Sequence, residues 1–185
     1  PASDEEVTFQ KGDGQGDVSE TDDAYMESDD EDDNFGDRRS LNVDGRPHNH
    51  AVLKFPNIFG NGAGQIPLGS TINSATLTLR VSNTTNEDPT VYRIIESWKE
   101  SEVTWDERRD DVNWSDEGAD GTGSHAATPV GRFPMTRSGF QSLDVTDSLQ
   151  LWSNGQLNEG WVFVDNSTSG ADFHSSETRK KGERP

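Results

Sequence analysis

Ala75-Thr76-Leu77-Thr78-Leu79-Arg80-Val81 decides the fold. Leu77, Leu79 and Val81 alternate with Thr76, Thr78 and Arg80, a period of two that puts apolar side chains on one face and polar ones on the other. Working outward, 41–43, 51–55 and 91–95 read as further short strands, 133–135 as a weak one, and 7–10 as a first. Trp161-Val162-Phe163-Val164 is apolar throughout, as a central strand buried on both faces would be. The stretch 143–152 reads as a strand followed by a helical turn, because Val145, Leu149 and Trp152 stand at near-helical spacing. Asp, Asn, Gly and Pro separate these pieces, and 18 Gly in the chain fit many turns. The pattern predicts an all-β fold, an antiparallel β-sandwich of jelly-roll type, as a single domain over 1–185. After Phe173 the chain turns polar and basic, which predicts a sandwich lacking its final strand.

Composition narrows the function. The 185 residues carry a net charge of −19, which excludes nucleic acid and an anionic membrane surface as partners, since both need clustered Lys and Arg. No apolar run is long enough to span a bilayer. Only 28% of the chain is hydrophobic, yet five Trp and eight Phe supply a thin core. Cys is absent, so disulfides, thiol catalysis and Cys-based zinc sites are excluded together. The chain opens on Pro1, which predicts a processed or excised product; the protein is also expected to be secreted to the cell surface.

The ordered segments resemble the DNRLRE-domain family of extracellular sandwich modules. They include Asp23-Ala24-Tyr25-Met26, Asn34-Phe35-Gly36, Leu41-Asn42-Val43-Asp44-Gly45, Val103-Thr104-Trp105, Asn158-Glu159-Gly160-Trp161 and Phe173-His174-Ser175-Ser176-Glu177. The resemblance implies a jelly-roll-like sandwich with an ancillary, non-catalytic role beside polysaccharide-active enzymes or surface proteins. Some members are carbohydrate-binding modules that recognise alginate through basic residues, a ligand at odds with this acidic chain. No Ser stands in a nucleophile elbow and no triad pattern emerges, so no catalytic residue is expected.

Candidate sites follow from charge and aromatics. The acidic region 11–39 is expected to be a metal-binding loop, because Ca²⁺ takes six to eight oxygens from carboxylates on flexible Gly-rich turns. Its candidate ligands are Asp13, Asp17, Asp22, Asp23, Asp30, Asp32, Asp33 and Asn34, holding a structural calcium. The loop from Asp116 to Gly121 is a weaker calcium candidate, and His48 with His50 reads as a polar start to a strand rather than a metal pair. For a polysaccharide, Arg38, Arg39, Arg46 and Lys54 form the cationic set, and Trp105 with Trp114, in the polar stretch 97–128, form an exposed stacking pair. These features predict an adhesion module that binds a surface polysaccharide. The alternative is a filament or matrix subunit, joined to neighbouring copies by strand exchange from 1–10 and by calcium bridges.

Overall fold

The computed structural model describes residues 5–14 and 16–185, with the side chain of Asp17 outside the described set. Its elements in chain order are β1 (Asp22–Glu27), β2 (Ser40–Gly45), β3 (His48–Lys54), β4 (Thr76–Asn83), β5 (Thr90–Arg93), β6 (Glu107–Arg109), β7 (Val112–Asn113), β8 (Gly131–Arg132), β9 (Gly139–Asp144), α1 (Thr146–Ser153), β10 (Trp161–Val164) and β11 (Ala171–His174). All pairings between these strands are antiparallel. One half of the sandwich runs β8-β5-β10-β3, with β1 on the other flank of β3. The other half runs β2-β11-β4-β9, and the halves join where Asp44 and Gly45 of β2 pair with Asn49 and His48 of β3.

Strand alternation builds two cores from this arrangement. Ala51 and Leu53 of β3 and Trp161 and Phe163 of β10 face inward, against Leu41, Val43, Leu77, Leu79, Val81 and Phe173 from the other half. Phe133, Phe163 and Phe173 meet there with centroids 5.0–6.3 Å apart. The opposite faces of the same strands, Val52, Val162 and Val164, join Ala24 and Met26 of β1 in a second core. Ile94, Trp98, Val103, Trp105, Trp114 and Ala119 cover that second face. The polar stretch 94–126 is therefore a covering layer with most of its large apolar residues turned onto that face, Ile95 being exposed. Glu96 ties the layer together, accepting from Ser115 N, Ser115 Oγ and Ser124 Oγ at 2.6–3.0 Å.

Several expectations need correction here. Segment 7–10 is not a strand, although Phe9 packs on the first core. The 133–135 strand is displaced to β8, and the acidic region 11–39 is not a loop throughout, because it contains β1. β11 itself is flanked by β2 and β4; among the described residues the main-sheet strands with a single partner are β1, β8 and β9, and 7–10 adds to none of them. Gln10 Nε2 and Lys11 N instead donate to the carbonyls of Arg184 and Pro185, each at 3.0 Å. No helix among the described residues is long and apolar enough to cross a membrane.

Candidate functional site

The first polar site forms where β2 leaves β3 for β11. Tyr25, Arg38, Arg39, Ser40, Asn42, Asn49 and Asp172 line an open groove there. Asn42 points out of β2 because Leu41 and Val43 on either side are buried. Asn49 Nδ2 donates to Asn42 Oδ1, and Asn42 Nδ2 donates to Asp172 Oδ1 at 2.9 Å, so the amides are held before any ligand arrives. The Tyr25 ring stacks on Phe35 at 4.5 Å, and the Arg38 guanidinium lies 5.5 Å from the Phe35 centroid. Arg38 and Arg39 are exposed beside this floor. Such a set presents donors, acceptors and an aromatic side chain together, the combination that sugar hydroxyls and C–H faces require.

The groove gathers only part of the expected cationic and aromatic set. Arg38 and Arg39 line it, whereas Arg46 is exposed on the turn between β2 and β3. Lys54 is a correction: it is buried, with Nζ 2.7 Å from Trp98 O, 3.4 Å from Glu159 Oε2 and 3.5 Å from Asp22 Oδ2. Trp105 and Trp114 are corrections too, being 7% and 4% exposed within the second core rather than a surface pair. Tyr25, Asn42, Asn49 and Asp172 were missed. The outward polar position between Leu41 and Val43 was the available signal for Asn42.

The expected calcium ligands scatter. Asp13 Oδ2 accepts from Ser19 Oγ, and Asp22 pairs with Lys54. Asp30, Asp32 and Asp33 lie exposed on the turns at 28–33. Asp17 falls outside the described side chains. Asn34 turns its amide to the carbonyls of Glu100 and Val103 at 2.8 and 2.7 Å, and so positions a backbone instead of facing a cation. Gly36 closes on the same segment, since a Cβ there would stand 2.4 Å from Glu100 O. In the Asp116 loop, Asp116 Oδ2 accepts from Gly123 N at 2.7 Å, which closes a turn.

Among the described side chains of that list, Asp23 alone enters a carboxylate cluster. Among the described residues, Asp23, Glu100 and Glu177 each bring an oxygen within 4.8 Å of the others. Glu100 Oε1 accepts from Asp23 N, and Asp23 Oδ2 from Ser176 N, both at 2.8 Å. Burial first, then the Glu177 charge, pushes the Asp23 carboxyl well above the usual range. Burial also pushes Glu100 up to about 7. Neither glutamate was in the expected set, because the three meet only through the fold and share no local spacing.

His50 is a structural residue. Its Nδ1–H donates to Gly118 O at 2.9 Å, and its ring lies 5.0 Å from Trp105. Burial holds its imidazole below the ordinary value of 6.5. Above that pH both folded and unfolded states are neutral at this position. Below it the unfolded chain takes a proton that the folded chain resists, so His50 withdraws stability as pH falls. Thermal melts from pH 7.5 to 5 should therefore show a shallower loss for His50→Gln than for the parent protein. Parallel slopes would refute this assignment.

The chain is an antiparallel sandwich carrying a polar groove whose amides are already hydrogen-bonded to one another. The family model described as carbohydrate-binding module family 96 matches residues 15–184, and the chain belongs to that family. The match supports the carbohydrate-binding resemblance carried by the sequence segments. A search of curated proteins finds none that matches the chain.

Proposed function

We propose that this chain is a non-catalytic, extracellular adhesion module that binds a polysaccharide in the groove beside Tyr25. The observation that carries the reading is the meeting of two exposed Arg side chains with Tyr25 and the pre-ordered Asn49–Asn42–Asp172 chain, within a carbohydrate-binding family. Asn42, Asn49 and Ser40 address hydroxyls, Tyr25 offers its ring, and Arg38 and Arg39 take a carboxylate where the glycan has one. With a net charge of −19, a neutral or sparsely acidic chain is the favoured ligand, because a densely anionic one is repelled before it reaches the groove.

Calorimetry against neutral, sparsely acidic and densely acidic polysaccharides tests the proposal. Arg38→Ala with Arg39→Ala should weaken the best ligand about 10-fold or more, equivalent to losing one good charged hydrogen bond. Arg46→Ala should leave it unchanged. No binding across the panel would sink the module reading, and full binding by the double variant would sink the groove.

A further inference from the structure

The geometry points to a divalent-cation site of calcium type built from the carboxylates of Asp23, Glu100 and Glu177. Two oxygens on one ion are separated by at most twice the metal–oxygen distance, about 4.6–5.2 Å for Ca²⁺. The three acids, with oxygens mutually within 4.8 Å, fall inside that span.

Acidic groups are abundant here, and proximity alone would not distinguish this cluster. Its unsatisfied oxygens do. Asp23 is fully buried, and while Oδ2 accepts from Ser176 N, Oδ1 has no hydrogen-bond partner among the described residues. Glu177 repeats the arrangement: Oε1 accepts from Ser176 Oγ at 2.6 Å, and Oε2 is buried without a hydrogen-bond partner among the described residues. Buried carboxylate oxygens are normally paired, and an ion supplies the missing partner for several at once.

Charge balance agrees. The ammonium of Lys11 acts on Glu100 and Glu177, but it is already bonded to Glu20. Its charge is therefore shared among Glu20, Glu100 and Glu177. An ion at this position would tie β1, the segment after Trp98 and the segment after β11, far apart in a chain without Cys.

The test uses the whole chain, stripped with chelator, at pH 7.5 and without glycan. Titration with CaCl₂ should show one ion bound per chain. At a free concentration about 100-fold above Kd, Tm should rise by about 5–10 °C for a domain of this size. Glu100→Gln and Glu177→Gln, each shown folded by circular dichroism, should weaken calcium at least 10-fold and remove most of that rise. Replacing Asp30, Asp32 and Asp33 together by Asn should leave both intact. The proposal is overturned if the stripped protein neither binds calcium nor gains stability. It is equally overturned if the two Gln variants bind like the parent, or if only the triple variant loses binding.

Discussion

Replacing Lys54 by alanine is expected to lower the unfolding free energy by about 3–5 kcal/mol, with glycan binding in the groove unchanged. The ammonium is enclosed between Asp22 and Glu159, donates to Trp98 O, and lies 4.5 Å from the centre of the Trp98 ring. Alanine removes the cation and leaves the largely buried Glu159 carboxylate without its partner. The stem is lost as well, and with it part of the wall of the second core. Urea denaturation measures the loss, and Lys54→Met combined with Glu159→Gln should recover much of it by removing both charges. A Lys54→Ala protein within 1 kcal/mol of the parent that has lost glycan would return this lysine to the role of a ligand contact.

Trp105→Ala should be of similar size, about 3–5 kcal/mol, again without effect on the groove. The ring fills the space between His50 and Gly118, where an added Cβ at Gly118 would stand 2.6 Å from it. Its removal leaves a cavity beneath the 94–126 layer, next to Trp114, whose Nε1 donates to Thr104 O at 3.2 Å. Denaturation midpoints together with near-ultraviolet circular dichroism should report both the loss and the loosened packing. A stable Trp105→Ala protein with weakened polysaccharide binding would refute its placement as core.

The sequence carried the strands well where a period of two was unbroken. Ala75 to Val81 became β4, and Trp161–Val164 became β10 with the same bounds, because β-branched and aromatic residues in such runs have few alternatives. The same logic hid β1. Asp22 and Asp23 look solvated in a run of acids, yet one pairs with Lys54 and the other lies fully buried. Trp105 and Trp114 were misplaced for a related reason. The average polarity of their stretch says nothing about which way a few large side chains turn, and a second core outside a sandwich leaves little periodic trace. The groove and the carboxylate cluster draw on residues from opposite ends of the chain, so Arg38, Arg39 and Asp23 were visible while Asn49, Asp172, Glu100 and Glu177 were not.

β3 has a consequence for the order in which the molecule forms. It is hydrogen-bonded to β1 and β2 nearby in sequence, and to β10 more than a hundred positions later. Both cores lean on β3, so neither can close while the chain beyond residue 160 is still missing. Contacts of such long separation slow folding, placing an all-β domain of this kind in the millisecond-to-second range. A nascent chain emerging from the ribosome would hold β1, β2 and β3 as an unfinished three-stranded platform. Its apolar faces would stay exposed until β10 and β11 arrive, which is the interval when a chaperone would matter most.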